Sequence, residues 1–142
     1  MSIPSRPALA RRRDLARIVL RDLAETGEVT VPARWEEEIR REFGGLDGLL
    51  AELSRQWWTA CAAHLDALVE LGPGDPCRVW DDVAAQSPWL RVVLDAHAGR
   101  PALAEAEWRH REALSRTPRR MSRRVSQRPE RPFTCRKENI HR

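Results

Sequence analysis

Residues 46–71 of the chain read LDGLLAELSRQWWTACAAHLDALVEL. Mostly apolar side chains recur there every three or four positions, which is the spacing of one face of an α-helix. The members of that face are Leu46, Leu50, Leu53, Trp57, Cys61, His64, Leu68 and Leu71. Leu49, Trp58 and Leu65 make it wider than a single neighbouring helix would cover. We therefore predict one long helix over residues 46–71 at the centre of the fold.

Proline and glycine divide the rest of the body into shorter helical segments. We predict helices over residues 8–26 and 32–43, and three short helices that begin at the prolines at positions 76, 88 and 101. Residues 28–31 are rich in β-branched side chains, but the sequence offers no second strand to pair with them, so we expect an extended connector. The prediction is an all-α, single-domain bundle of about six helices over residues 8–115, preceded by a disordered N-terminus at residues 1–7.

The composition changes abruptly at about Ser115. Residues 116–142 contain 10 basic and 2 acidic residues, a net charge of +8, whereas residues 1–115 contain 15 basic and 19 acidic residues, a net charge of −4. The tail has few large apolar side chains, so it would bury too little apolar surface to offset the entropy lost on ordering. We predict that residues 116–142 form a disordered, Arg-rich tail.

Clustered guanidinium groups neutralise phosphates and release counterions, which gives salt-dependent nucleic-acid binding without base recognition. The tail arginines that would bind nucleic acid or another anion are Arg116, Arg119, Arg120, Arg123, Arg124 and Arg128. Because the body is acidic, we expect any non-specific RNA or DNA contact to be confined to residues 116–142. The alternative is a solvated extension without a binding role.

Two serines in the tail have a basic context. Ser122 and Ser126 each follow two arginines and one further residue, which is typical of sites for a basic-directed kinase. A phosphate at either position would cancel local positive charge. We keep modification of these serines as a subordinate hypothesis, because such patterns also arise by chance in arginine-rich segments.

Six tryptophans are distributed along the body, and two of them, Trp57 and Trp58, are adjacent. Neighbouring residues on a helix point in different directions, so both cannot face the same way. At least one of the pair is expected at the edge of the core or on a partner surface, where tryptophan is enriched among binding hot spots. We predict a partner interface that contains one of them.

A metal site is an alternative hypothesis for two histidines and two cysteines. Cys61 and His64 lie one helical turn apart, and Cys77 and His97 would complete a two-cysteine, two-histidine set suited to zinc. The spacing of the second pair is not that of a zinc finger, and a cysteine on a helix face is usually a small buried hydrophobe. We therefore expect no metal and no other cofactor.

Catalytic motifs are absent from the sequence. It has no serine nucleophile elbow, no glycine-rich phosphate loop and no His-Glu-X-X-His pattern. We therefore expect a protein that is not an enzyme and has no catalytic residues.

The sequence also bears on location. It has no apolar run of about 18 residues that would span a membrane, and Arg17, Arg21 and Asp22 interrupt the stretch that could serve as a secretory signal. Three widely spaced cysteines do not form a recognisable disulfide framework, which favours a reducing compartment. We expect a cytoplasmic protein with no membrane contact.

These observations favour a small, non-enzymatic, cytoplasmic protein-interaction or adaptor module. Its helical body would bind a protein partner or a second copy of itself, and its basic tail would contact an anionic partner. The alternative is a nucleic-acid-binding protein that uses the Arg-rich tail, with the body as a dimerisation scaffold.

Overall fold

The computed structural model describes residues 3–71, 75 and 77–116, which form six α-helices and no strand. The helices are α1 (Arg6–Thr26), α2 (Glu36–Phe43), α3 (Leu46–Leu71), α4 (Cys77–Gln86), α5 (Pro88–Ala96) and α6 (Pro101–Arg116), with a 3-10 helix at Ala33–Trp35 before α2. The predicted all-α bundle of about six helices around residues 46–71 is confirmed. Of the predicted basic tail, only Arg116 lies within the described ranges.

Helix α1 begins at Arg6, two residues before the predicted start. The side chain of Ser5 accepts a hydrogen bond from the backbone N–H of Ala8 at 3.4 Å, and Pro7 occupies the first turn, where its missing N–H costs nothing. The helix ends at Gly27, whose φ of 73° is the left-handed conformation that glycine adopts without strain. Ser5 and Pro7 thus start this helix within residues 1–7, for which disorder was predicted.

The connector between α1 and α2 is held by side-chain hydrogen bonds. Asp22 accepts from Arg34 Nη2 and from Trp35 Nε1, each at 2.6 Å, and Arg34 also pairs with Glu28. The bonds from Trp35 and Arg34 hold the pKa of Asp22 below its ordinary value. Trp89 Nε1 donates to the Glu28 carbonyl at 3.1 Å, which ties the connector to α5. The predicted absence of a strand at residues 28–31 is confirmed.

A tight glycine junction separates α2 from α3. Gly44 ends α2 with a φ of 76°. Four residues later Gly48 lies against the end of α2, where a Cβ atom would come within 2.2 Å of the Phe43 carbonyl oxygen. A side chain at position 48 would therefore force the two helices apart.

Helix α3 is the centre of the bundle and packs against each of the other five helices. Its buried side chains extend around much of its circumference, as the wide apolar face predicted. They are Leu49, Leu50, Leu53, Ser54, Trp57, Trp58, Cys61 and Leu65. The predicted bounds, residues 46–71, are those of the structure.

The three helices after α3 are short and start where the proline pattern placed them, to within a residue. The Asp75 carboxylate accepts a hydrogen bond from the Cys77 backbone N–H at 3.0 Å and so caps α4. Ser87 precedes α5 but makes no side-chain capping bond, so Pro88 alone marks that start. No helix in the described ranges is both long and apolar enough to cross a bilayer.

Candidate functional site

Both tryptophans of the predicted interface are buried. Trp57 is fully inaccessible and Trp58 is 4% exposed. The prediction that one of them lies on a partner surface is wrong, because α3 is covered on two sides. Trp57 packs against Trp80 of α4, and the Trp58 indole N–H bonds to Glu107 of α6.

The three indoles of Trp57, Trp58 and Trp80 form an edge-to-face cluster. The Trp57 and Trp80 ring centroids are 4.8 Å apart at an interplanar angle of 67°, and those of Trp58 and Trp80 are 5.8 Å apart at 69°. This geometry brings the positive edge of one ring toward the negative face of another. These ring contacts therefore add an electrostatic attraction between α3 and α4 to the packing of their side chains.

A buried arginine, Arg91 of α5, lies against this cluster. Its guanidinium carbon is 5.1 Å from the Trp57 ring centroid and 5.0 Å from that of Trp80, within the range of cation–π attraction. Nε donates to Asp95 Oδ1 at 2.9 Å and Nη2 to Glu107 Oε1 at 2.6 Å. The Arg91 side chain is only 9% exposed, so its charge is neutralised inside the protein and not by solvent.

Glu107 connects three helices through one carboxylate. It accepts hydrogen bonds from Arg91 of α5, from Trp58 Nε1 of α3, and from Ser54 Oγ of α3 at 3.3 Å. Its side chain is 15% exposed. Three donors on a half-buried carboxylate fix the position of α6 relative to α3 and α5.

A recess of about 220 Å³ opens beside this network, between α4, α5 and α6. It is lined by Trp80, Arg91, Asp95, Ala98, Leu103, Ala104, Glu107 and Arg111. Two guanidinium nitrogens of its walls, Arg91 Nη1 and Arg111 Nε, are buried and have no hydrogen-bond partner within the described part of the chain. The recess is polar but has no net charge, because its lining contains two arginines and two carboxylates.

The structure does not assemble the hypothetical metal site. Within residues 3–71, 75 and 77–116, no group of three or more His, Cys, Asp or Glu side chains could hold a metal ion. Cys61 is buried among apolar side chains, and His97 Nδ1 lies 2.8 Å from the Val93 carbonyl oxygen. The two-cysteine, two-histidine set of Cys61, His64, Cys77 and His97 is therefore wrong.

Burial raises the pKa of the Cys61 thiol to about 12, with a smaller opposing effect from the Arg91 charge. Because the thiolate is the reactive form, we expect Cys61 to resist alkylation by iodoacetamide in the folded protein at pH 8. In reduced protein, wild type and Cys61→Ala should incorporate the same amount of label when folded, and wild type should gain one more label in urea. Equal labelling of the two proteins in urea, or one extra label on folded wild type, would contradict this expectation.

Among the described residues, a large aromatic side chain is exposed at Trp108 of α6, with 59% of its surface accessible. Leu103, Trp108 and Leu114 are the large apolar residues of α6. Leu103 and Leu114 do share a buried face, but Trp108 is turned about 140° from Leu103 on a helix of 3.6 residues per turn. The position of Trp108 relative to Leu103 in the helical repeat was therefore the sign in the sequence that this tryptophan points to solvent.

Of the predicted anion-binding residues, only Arg116 lies among the described residues. Arg116 is exposed at the end of α6, with Nη2 3.3 Å from Glu112 Oε2. The remaining candidates, Arg119, Arg120, Arg123, Arg124 and Arg128, lie outside the described residues, as do Ser122 and Ser126.

No protein-family model, no curated protein and no solved structure matches this chain.

Proposed function

We propose that this protein is a small, non-enzymatic interaction module that binds a protein partner through the exposed side of α6. The observation that carries the proposal is Trp108, a tryptophan left 59% exposed on a helix whose opposite face is buried in the core. Tryptophan is among the residue types most enriched in binding hot spots. The proposal moves the interface from Trp57 and Trp58, which are buried, to α6.

The surroundings of Trp108 support the same surface. Ala104 and Arg111, one helical turn to either side, both line the recess between α4, α5 and α6. Tryptophan and arginine are both enriched at the centres of protein interfaces, and here they lie beside the recess. The Glu107 network holds this part of α6 against α3 and α5, so the surface is preorganised and its ordering costs little on binding.

Charge indicates what kind of protein would bind. Residues 116–142, with a net charge of +8, begin at Arg116, the last residue of α6. That point is eight residues, or about 12 Å along the helix, beyond Trp108. A partner with an acidic rim around an apolar contact would therefore meet both Trp108 and the basic segment.

The test compares three versions of the full-length protein as bait. They are the wild type, Trp108→Ala and Ile18→Ala, the last being a control because Ile18 is 51% exposed on α1. We expect one or more acidic proteins to be retained by wild type and Ile18→Ala and reduced about tenfold or more by Trp108→Ala, as for a hot-spot residue. Identical retention by all three baits would reject the α6 surface.

Self-association is examined on the purified proteins by sedimentation. If wild type and Ile18→Ala form dimers and Trp108→Ala is a monomer, the partner is a second copy of the chain and not an acidic protein. A cytoplasmic location, which the sequence favours, is part of the proposal and is tested by fractionating cells that express the protein.

Nucleic-acid binding through the basic tail, with the body as a dimerisation scaffold, is the second candidate function. Truncation after Ser115 separates it from the first. Loss of RNA or DNA retention at low salt, with partner capture intact, would assign nucleic-acid binding to residues 116–142. Helix α1 contains six arginines and three acidic residues, a net charge of +3, and this favours the candidate independently of the tail.

A further inference from the structure

Four arginines of α1 lie on one face of the helix. Arg6, Arg13, Arg17 and Arg21 follow at intervals of seven, four and four residues. On a helix of 3.6 residues per turn these positions fall within about 80° of arc and extend along about 22 Å. All four residues are exposed. We call them the α1 arginine stripe.

Within the described ranges, the four guanidinium groups of the stripe have no carboxylate partner within 4 Å. The other two arginines of α1 contact α2: Arg12 Nε donates to the Glu42 carbonyl at 2.9 Å, and Arg11 Nε lies 3.9 Å from the Glu42 carboxylate. Exposed arginines elsewhere in the body are commonly paired, as Arg40 is with Glu37 and Arg100 with Asp47. The stripe is therefore a row of arginines that form no ion pair with the described part of the chain.

Carboxylates also lie to the sides of the stripe. Asp14 and Glu25 belong to α1 itself, on the flank of the stripe. Across the helix interface, the pKa of Glu52 is below its ordinary value: burial raises it, but bonds from Arg55 and Gln56 and the charges of Arg55 and Arg13 outweigh burial. Glu52 is already bonded to Arg55 through two nitrogens, at 2.6 and 2.9 Å, so it does not neutralise Arg13.

The net charge of the body is also unevenly distributed between α1 and the helices that follow it. Helix α1 contains six arginines and three acidic residues, a net charge of +3. Residues 27–115 contain nine arginines and sixteen acidic residues, a net charge of −7. An anionic polymer is therefore attracted to α1 and repelled by the rest of the fold.

We propose that the α1 arginine stripe is a binding surface for the phosphate backbone of nucleic acid. Successive members Arg13, Arg17 and Arg21 are about 6 Å apart along the axis, and the whole row is as long as six or seven base pairs of duplex. A straight row of equivalent cations suits a regular polyanion. Such contacts read no bases, so the binding is independent of sequence.

A membrane surface fits the stripe less well. Helices that lie on a bilayer bury a continuous apolar face beside their basic residues. The exposed apolar residues of α1, Leu9 and Ile18, are nine positions apart and so lie on opposite sides of the helix. The stripe has no apolar face next to it that could enter the lipid.

The inference does not depend on Trp108 or on the proposed protein partner, because it concerns a different helix. It differs from the expectation that nucleic-acid contact is confined to residues 116–142. That expectation averaged the charge of α1 with the charge of the helices that follow it.

The experiment measures binding of full-length protein to a labelled 20-bp DNA duplex and to a 20-nucleotide single-stranded RNA by fluorescence anisotropy, from 50 to 200 mM salt. The stripe variant has Arg6, Arg13, Arg17 and Arg21 replaced by glutamine, a good helix former. The matched control replaces the exposed residues Arg40, Arg41, Arg78 and Arg100 by glutamine and so has the same net charge. Both sets are also made in a background with Arg119, Arg120, Arg123 and Arg124 replaced by glutamine, which reduces binding by the tail.

We expect the stripe variant to bind at least tenfold more weakly than the control at 50 mM salt, in both backgrounds. Four phosphate contacts contribute about −3.6 to the slope of log K against log salt on duplex, so the slope should become shallower by about that amount. Affinities of the stripe and control variants within twofold of each other would overturn the proposal.

Two further outcomes would also overturn it. One is binding of wild-type protein to vesicles of anionic lipid, lost in the stripe variant, with no change in nucleic-acid affinity. The other is self-association of wild type that the stripe variant abolishes, again with nucleic-acid affinity unchanged; Glu36, Glu37 and Glu38 of a second copy would then be the partners. Circular dichroism of each variant checks that α1 stays folded.

Discussion

Glu107→Ala is expected to lower the free energy of unfolding by about 3 kcal/mol, the lower end of the range for breaking a buried ion pair. The Glu107 carboxylate accepts from Arg91, Trp58 and Ser54, and its removal leaves all three donors short of an acceptor. Arg91 suffers most, because its side chain is 9% exposed and only Asp95 would remain to balance its charge. An uncompensated buried charge costs more than the pair itself contributes.

Urea denaturation followed by circular dichroism measures this effect. Glu105→Ala removes an exposed carboxylate from the same helix and is expected to change the free energy of unfolding by less than about 0.5 kcal/mol. Glu107→Gln keeps an acceptor oxygen but loses the charge, so it should fall between the two. If Glu107→Ala were no more destabilising than Glu105→Ala, the network would not be holding α6 in place.

Trp57→Ala is expected to be still more destabilising, by about 4 kcal/mol, as for large-to-small changes of buried aromatic residues. Trp57 is fully buried and lies in contact with both Trp80 and Arg91. Its indole N–H has no hydrogen-bond partner within the described residues. The loss should therefore come from packing and the cavity left behind, since no hydrogen bond is removed.

Thermal unfolding of Trp57→Ala and Trp108→Ala compares the loss of a buried tryptophan with the loss of an exposed one. A loss of 4 kcal/mol in a domain of this size corresponds to a fall of roughly 15–30 °C in the unfolding midpoint. Trp108→Ala removes the same side chain from a position 59% exposed and should shift the midpoint by only a few degrees. Similar shifts for the two variants would mean that Trp108 is part of the core, and the α6 interface would have to be abandoned.

The sequence predicted the helices well because their ends are marked locally. The bounds of α3 came from an apolar period that starts after Gly44-Gly45 and stops before Gly72. The start of α1 was placed too late because Ser5 and Pro7 act as a cap and first turn, a role that proline plays only next to a helix. Prediction failed there because the same residue type signals both disorder and helix initiation.

The candidate sites were harder to predict because they depend on how helices cross. Arg91 and Glu107 are 16 residues apart, and Trp58 and Glu107 are 49 apart, so no local pattern brings them together. The burial of both Trp57 and Trp58 requires neighbours on two sides of α3, which the period of α3 alone does not reveal. The α1 arginine stripe could have been found, since its intervals of seven and four residues are visible in the sequence.

The position of α3 among the other helices constrains how the chain can change during evolution. Because α3 packs against all five, one inserted or deleted residue near its middle would rotate everything beyond it by about 100° and break several interfaces at once. Connectors absorb such changes at little cost, since lengthening a loop adds only slowly to its closure entropy. Natural variants of this protein should therefore differ in length between helices, while the length of α3 stays fixed.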